Sequence, residues 1–196
     1  MPYENAFYRA MPNYNRMMIR DAVIRTFPRQ RSDPPLHCGA FSLAAIAASD
    51  EKLEYCVRLA HDNMNPYLLR RGENFDDARW RLNAAQSEFF LVTKNIALTP
   101  FDIGFVSVCG EPDGASALHV GDIQIEPAQQ NNGAGSAALY LVEKLARARG
   151  FSELTLNVFR DNPALALYER DGFDCIDTQF YKYKMRKVLH QRTEPT

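Results

Sequence analysis

The alternation of strand-like and helix-like segments in its C-terminal half constrains the fold of this chain more than any other feature. The pattern runs strand, loop, helix, strand, helix and two further strands, over residues 117–125, 130–135, 136–149, 154–158, 163–171, 175–176 and 180–185. Helices that alternate with strands pack on the faces of a central sheet. The sequence therefore predicts an α/β domain with a central sheet flanked by helices.

The upstream half extends this pattern. Strands are predicted at 41–46, 88–92 and 103–108 from their short apolar runs. One helix is predicted to follow the N-cap pair at 49–50, and a second covers 76–85, where two aspartates stand at the positive end of the helix dipole. Alternation along 117–125 predicts that Leu118, Val120 and Asp122 share one face of their strand.

Residues 1–36 differ in composition from the rest of the chain. Six of the 17 arginines lie between Arg9 and Arg31, and the prolines at 34–35 mark a boundary because they block helix continuation. We predict an N-terminal arm over 1–36, where 15–27 has the spacing of a short helix. A single domain over 37–190 and a polar tail over 191–196 complete the 196 residues.

Charge and cysteine usage narrow the classes of function. The formal net charge is −1, which argues against a nucleic-acid partner. The four cysteines are scattered without a C-x-x-C motif or a metal-type cluster, so we expect buried thiols in a reducing compartment and no metal. No apolar run approaches the roughly 20 residues that span a bilayer. We therefore expect a cytoplasmic protein without a membrane partner.

The most informative stretch joins the strand that ends at Ile125 to the helix that follows it. The loop Gln130-Asn-Asn-Gly-Ala-Gly-Ser136 contains two glycines immediately before that helix. Free amides at a helix N-terminus, together with the helix dipole, favour an anion such as a pyrophosphate. The loop is not a P-loop, because no Lys-Ser/Thr pair follows, and it lacks the acidic residue of a dinucleotide fingerprint. A tight strand–helix turn is the alternative interpretation.

A second motif, further along the chain, helps to interpret this loop. Gln130-x-x-Gly133-x-Gly135 after a Pro-ended strand resembles the acyl-CoA pyrophosphate loop of the GNAT superfamily of N-acetyltransferases. The later run from Asn162 through Ala164 and Leu167-Tyr168 to Gly172-Phe173 resembles the next hallmark of that family. The two motifs together cover residues 117–175. The resemblance implies a single GNAT-like domain with a mixed, mostly antiparallel central sheet of about six to seven strands, splayed at the cofactor site.

The resemblance also implies where acetyl-CoA binds. The cosubstrate would lie in the splay between the strand ending at Ile125 and the strand at 154–158, with its pantetheine arm paired to that first strand. The amides of 132–136 would bind the pyrophosphate, and Asn162 would contact the pantetheine as well as cap its helix. The implied cofactor-binding residues are Ile123, Gln124, Ile125, Gln130, Asn131, Asn132, Gly133, Ala134, Gly135, Ser136, Asn162, Ala164 and Tyr168.

Transfer of an acetyl group to an amine needs an acid and a base. Members that carry the second motif use its tyrosine to protonate the CoA thiolate, so the resemblance implies that role for Tyr168. An alkylammonium with a pKa of about 10 must lose a proton before it attacks. Asp122, His119 and Glu126 are the candidates for that base, and the sequence does not choose among them. No cysteine lies in either motif, which favours direct transfer in a ternary complex over covalent catalysis.

The sequence constrains the identity of the acceptor less than that of the cosubstrate. In this family the first helices and the last strands form the acceptor pocket, and here these segments are rich in aromatic residues with acidic neighbours. This mixture suits a small cationic amine. A peptide or protein acceptor, or a non-catalytic acyl-CoA-binding module, is the alternative. Dimers are common among the family's members, so a homodimer is possible.

Overall fold

A mixed sheet of eight strands forms the centre of the computed structural model, which describes residues 35–46, 51–96, 99–110 and 116–190. The strands are β1 (Leu36–Cys38), β2 (Phe41–Ile46), β3 (Glu88–Ile96), β4 (Thr99–Gly110), β5 (Ala117–Ile125), β6 (Glu153–Phe159), β7 (Asp174–Gln179) and β8 (Lys182–Val188). Their order is β1-β2-β3-β4-β5-β6-β8-β7, and only the β5–β6 pair among them is parallel. The predicted α/β class and the mostly antiparallel sheet are confirmed.

Four α-helices of the described residues lie between these strands. They are α1 (Glu51–Leu69), α2 (Asp77–Ala84), α3 (Ala134–Ala148) and α4 (Ala164–Arg170). Asp76 caps α2 by accepting a hydrogen bond from the backbone amide of Arg79 at 2.9 Å, as its sequence position indicates. The helix expected at 15–27, the cap pair at 49–50 and the tail at 191–196 lie outside the described residues.

The sheet contains one strand more than the upper end of the predicted range. The additional strand is β1, which is three residues long and pairs with β2 across the turn at Gly39 and Ala40. Its first residue is Leu36, so the boundary predicted after residue 36 falls within a strand rather than before the domain. Three residues carry too little apolar periodicity to be recognised as a strand.

The helices bury different faces of the sheet. On the first face, α3 and α4 cover a core that includes Val106, Val120, Leu141 and Tyr168. On the second face, α1 and α2 cover a smaller core, whose members include Cys56, Leu59, Ala84, Phe89 and Phe105. Each buried side chain contributes about 1.5–3 kcal/mol through loss of contact with water. Because helices cover both faces of the sheet, its central strands have apolar residues on both faces.

A β-bulge at Gly121 determines which face Asp122 occupies. Val120 pairs with Val108, whereas Asp122 pairs with Ser107, so Gly121 is an extra residue in β5. A Cβ at Gly121 would lie 2.9 Å from Ser107 Oγ, which shows why a glycine fits there. The prediction that Leu118, Val120 and Asp122 share a face is wrong, because the bulge turns Asp122 to the second face, under α1 and α2.

The cysteines and helices allow two further comparisons with the sequence. Cys56 on α1 is buried against the sheet, as expected, but Cys175 on the edge strand β7 is exposed, so the expectation of four buried thiols is wrong there. No disulfide links the four cysteines. None of the helices among the described residues is both long enough and apolar enough to cross a membrane.

Candidate active site

The sheet opens between β5 and β6. Their parallel ladder begins at Ala117 and Glu153 and ends at Val120 and Leu156. Beyond that point β5 continues to Ile125 and β6 to Phe159, each with its outer neighbour but without pairing to the other. The two strands therefore border an opening whose facing backbone edges are free of strand–strand hydrogen bonds.

The glycine loop closes one end of this opening. Asn131 (φ 59°) and Gly133 (φ 81°) adopt left-handed backbone conformations, and Gly133 is the N-cap of α3. Ala134, Gly135 and Ser136 form the first turn of that helix. Within the described part of the chain, no amide from 132 to 136 donates to a backbone or side-chain acceptor. These amides, at the positive end of α3, form a set of donors suited to a phosphate.

The end of β5 is already tied to two side-chain amides. The Ile125 carbonyl accepts hydrogen bonds from Gln130 Nε2 at 2.9 Å and from Asn63 Nδ2 at 3.1 Å. Asn63 also donates to Gln124 Oε1 at 3.1 Å, which holds the buried Gln124 side chain against α1. Because a carbonyl has two lone pairs, the Ile125 carbonyl is fully used, and a pantetheine N–H that donates to this edge of β5 has the Ile123 carbonyl as its open acceptor unless one of these amides moves.

Tyr168 and Asn162 stand on the other border of the opening. Tyr168 is 8% exposed in the first-face core, with its ring 5.9 Å from that of Phe173 in an edge-to-face arrangement. Burial raises the pKa of Tyr168, and the negative charge of Asp122 raises it further. Asn162 Oδ1 accepts a hydrogen bond from the Ala164 amide at 2.9 Å, so Asn162 has the helix-starting role that its sequence position predicts.

Asp122 lies at the opening on the second face. It accepts hydrogen bonds from Ser107 Oγ at 2.8 Å and from Gln124 Nε2 at 3.4 Å. Burial raises the pKa of Asp122, against the lowering effect of hydrogen bonds from Ser107, Gln124 and Trp80 and of the nearby charge on Lys182. A carboxylate with a raised pKa is a stronger proton acceptor than an ordinary aspartate.

The other two candidates for the base are placed differently. His119 Nδ1 forms a hydrogen bond with Thr155 Oγ1 at 2.9 Å, between residues that are partners in the closed part of the ladder. Glu126 follows β5 directly and lies near Tyr55. Burial raises the pKa of Tyr55, and the negative charge of Glu126 raises it further. The Tyr55 hydroxyl is buried and has no partner at ordinary hydrogen-bond geometry. Of the three candidates, Asp122 is the one at the opening.

Two cations that the sequence analysis did not select lie at the mouth of the opening. The Arg71 guanidinium is 4.4 Å from the centre of the Phe159 ring, and the Lys182 ammonium is 4.7 Å from it. Tyr67 stacks on the same ring at 6.1 Å. The sequence interpretation drew attention to the aromatic residues of these segments and passed over their cations. No cluster of three or more His, Cys, Asp or Glu residues in the described ranges could hold a metal ion.

A family model and solved structures match this architecture. The model of the Acetyltransferase (GNAT) family matches residues 56–173, which include the opening, the glycine loop and Tyr168. No curated protein sequence matches the chain. The PaiA N-acetyltransferase of Thermoplasma acidophilum, solved in complex with coenzyme A, is 19% identical over 76% of this chain and 98% of its own, with a TM-score of 0.57.

Two further solved structures have the same fold. Ard1 from Thermoplasma volcanium is 16% identical over 78% of this chain and 99% of its own, with a TM-score of 0.59. An IAA acetyltransferase from Bacillus cereus ATCC 14579 is 13% identical over 76% of this chain and 99% of its own, with a TM-score of 0.58. Identities this low establish a shared fold and leave the substrate to be argued from the site.

Proposed function

Because the chain belongs to the GNAT acetyltransferase family, we propose that it transfers an acetyl group from acetyl-CoA to a primary amine. The opening between β5 and β6 carries this proposal: the glycine loop lies at its end, Tyr168 on one border and Asp122 on the other. A thioester held in the opening would stand between an acid on the first face and a base on the second. Direct attack in a ternary complex needs this arrangement and no covalent enzyme intermediate.

The loop and the strand edge would hold the cosubstrate. In the proposed complex, the free amides of 132–136 bind the pyrophosphate, with the dipole of α3 behind them. The pantetheine arm pairs with the free edge of β5 at Ile123. Gln130 acts indirectly, because its side chain ties the loop to the Ile125 carbonyl. The coenzyme A bound to the T. acidophilum protein supports a CoA thioester as the donor.

The proposed reaction uses one base and one acid. Asp122 accepts a proton from the acceptor ammonium, and the neutral nitrogen then attacks the thioester carbonyl carbon. A C–N bond forms, the C–S bond breaks, and the sulfur leaves with the bonding electron pair as a thiolate. Tyr168 donates its proton to that thiolate, and the second proton of the attacking nitrogen passes to water. The raised pKa of Asp122 favours the first of these transfers.

A small amine that binds as its ammonium is the acceptor class that the Asp122 carboxylate at the site supports. Asp122 lies on the second face of β5, and the aromatic residues packed with α1 and α2 border the same face. An ammonium is attracted to carboxylates and to aromatic faces alike. A peptide amine or a purely CoA-binding role has no comparable observation in its favour, and both are outcomes of the experiment below.

A thiol-release assay tests the proposal. Acetyl-CoA is offered with polyamines, aminoglycosides, amino acids and peptides, and Tyr168→Phe is compared with Tyr140→Phe, whose tyrosine is 43% exposed on α3. Release that requires an amine and falls at least about tenfold in Tyr168→Phe alone would support the transferase, since general acids contribute about 10²–10⁴-fold. Tight CoA binding without release for any amine would indicate a binding module, and failure to bind CoA would refute the assignment.

A further inference from the structure

We propose that the acceptor amine carries an anionic group, a carboxylate or a phosphate, which binds to Arg71 and Lys182 at the mouth of the opening. This inference rests on the proposed function and specifies its substrate class. It separates zwitterionic acceptors, such as amino acids and amino phosphates, from polyamines and other purely cationic amines.

Arg71 is a buried cation held in place by its neighbours. Its side chain is 10% exposed, and its guanidinium carbon lies 4.4 Å from the Phe159 ring centre and 5.2 Å from that of Tyr181. Nη1 donates to the Tyr67 carbonyl at 2.5 Å and Nη2 to Asp161 Oδ1 at 2.5 Å, while the buried Nε has no acceptor. This guanidinium is therefore fixed in position before any ligand binds, which lowers the entropic cost of recognition.

Lys182 lies against the same aromatic ring and has no carboxylate partner. Its ammonium is 4.7 Å from the Phe159 ring centre, and no carboxylate of the described residues lies within 4 Å of it. Desolvation lowers the pKa of Lys182; the charges of Glu73 and Asp122 oppose this effect, and those of Arg79 and Arg71 add to it. Because Lys182 is exposed at the surface, its ammonium is open to an anionic ligand.

The charges around Phe159 do not balance. Arg70 and Arg71 share a single carboxylate, Asp161, at 3.2 and 2.5 Å. Lys182 and Arg79 add two positive charges to this pair of arginines, and Glu73 and Asp122, which also affect the pKa of Lys182, add two negative ones. Lys187, by contrast, has Glu143 at 2.6 Å and Asp171 at 3.0 Å, as expected of a structural ion pair. The cluster at the mouth therefore has an excess of positive charge that no described protein group neutralises.

This excess lies on the face where the proposed reaction begins. Lys182 is the partner of Phe159, the last residue of β6, in the register of β6 and β8. Its charge lowers the pKa of Asp122, so the two groups are near enough to interact across the opening. An acceptor with its ammonium toward Asp122 and an anionic group toward Lys182 and Arg71 pairs both charges. A polyamine would bring its second ammonium against two cations, which is repulsive.

Matched acceptor pairs test the inference in the thiol-release assay. Each pair consists of an amine with a carboxylate or a phosphate and the same amine without it, so the two arms also distinguish which anion is bound. For wild type we expect kcat/KM to favour the anionic member by about ten- to a hundredfold, the range for one charged hydrogen bond. Lys182→Gln should lower this preference at least severalfold, and Lys182→Arg should retain most of it.

One matched control variant and three possible results decide whether Lys182 recognises the anionic group. Lys144→Gln removes an exposed lysine that lies over the Tyr140 ring on α3, away from the opening, and should leave the preference at its wild-type value. Equal or better turnover of the amines without the anionic group overturns the inference. So does a preference for the anionic member that survives Lys182→Gln. Both results leave the proposed transferase function intact. Absence of thiol release with every amine, despite CoA binding, would refute the proposed function and this inference together.

Discussion

Asp122 and Tyr168 occupy opposite faces of the sheet and still influence each other electrostatically. Asp122 packs with Ser107 under α1 and α2, and Tyr168 lies in the core under α3 and α4. The charge of Asp122 nonetheless contributes to the raised pKa of Tyr168. In a closed sheet the paired strands would separate such groups. The gap between β5 and β6 is what would allow the proposed acid and base, which lie in different cores, to serve one reaction.

A substitution at Asp122 tests whether this buried carboxylate serves the reaction at a cost to the stability of the fold. Asp122→Asn should lower kcat/KM by about 10²–10⁴-fold, the range for loss of a general base. The same variant should raise the thermal unfolding midpoint at neutral pH by a few degrees, because it removes a buried charge that burial disfavours. Differential scanning calorimetry and the thiol-release assay measure the two effects. Asp102→Asn, at the Lys52 ion pair, is the control and should not combine a large loss of activity with a gain in stability.

The pH dependence of that stability has a definite sign. The pKa of Asp122 is higher in the folded chain than in the unfolded one, where it is about 3.9. Protonation of Asp122 therefore favours the folded state, and this contribution to stability is lost as the pH rises through the folded pKa. The stabilisation by Asp122→Asn should be largest at neutral pH and shrink as the pH falls toward 4. A gain that does not change with pH would contradict the argument.

Residue-level prediction from the sequence selects Asp122 as a candidate base and fails for the orientation of its side chain. Asp122 was named as a candidate base from its place in a strand next to the glycine loop. Its face was predicted wrongly, because a bulge depends on the register with β4, and the register is a property of two strands. Ser107, which donates to Asp122, was missed for the same reason, since it lies 15 residues away in the sequence.

At the scale of elements, the glycine loop depends on one backbone conformation. Gly133 has φ of +81° and open space where a Cβ would point, so an alanine there would be strained without any clash. Gly133→Ala should reduce the free energy of unfolding by about 1–2 kcal/mol. It should also weaken CoA binding by about tenfold, the equivalent of one charge-assisted hydrogen bond. Isothermal titration calorimetry and denaturant unfolding measure the two quantities.

Gly150 provides the matched control for that substitution. It follows α3 with φ of +79°, and a Cβ there would also meet nothing within 4 Å. Gly150→Ala should therefore cost similar stability and leave CoA binding unchanged, because it lies at the opposite end of the helix from the loop. Equal loss of CoA affinity in both variants would show that affinity follows general stability, and would contradict a specific role for the loop.

The longer elements were predictable because their patterns are local. Helix α3 has apolar residues at helical spacing and strand β5 has an apolar alternation, so both were placed within two residues of their observed bounds. Strands β3 and β4 extend several residues beyond their predicted ends, because pairing with each other stabilises segments whose composition alone is ambiguous. Cross-strand pairing is the information that a single sequence does not display.

At the scale of the whole molecule, the charged mouth of the opening was the part least accessible from sequence. Arg71 follows α1 and Lys182 begins β8, and neither belongs to a recognisable motif. They come together because both segments meet at Phe159, at the end of β6. Only the packing of α1 against the sheet produces this arrangement. The proposed CoA side is indicated by local motifs in the sequence, whereas the proposed acceptor side depends on distant segments.

The opposite face of the molecule carries an ion-pair network that joins α3, α4 and β8. Lys187 lies 2.6 Å from Glu143, which also binds Arg147 at 2.6 Å, and 3.0 Å from Asp171. Although desolvation raises the pKa of Glu143, the bonds from Lys187 and Arg147 hold it below its usual value. This contribution to stability is present above the pKa of an unfolded glutamate and is lost as the pH falls through the folded pKa.

Replacing the lysine of this network measures its contribution to the assembled fold. Lys187→Met should lower the free energy of unfolding at pH 7 by about 1–3 kcal/mol, because partly buried carboxylates lose a charged hydrogen-bond donor. Lys52→Met, which breaks the more exposed Lys52–Asp102 pair, should cost only about 0–1 kcal/mol. Denaturant titrations from pH 7 downward should show the Lys187→Met deficit shrinking as Glu143 is protonated in wild type. A deficit that is constant with pH would mean that Lys187 contributes through its ammonium over the Phe173 ring, 6.0 Å from the ring centre, rather than through its ion pairs.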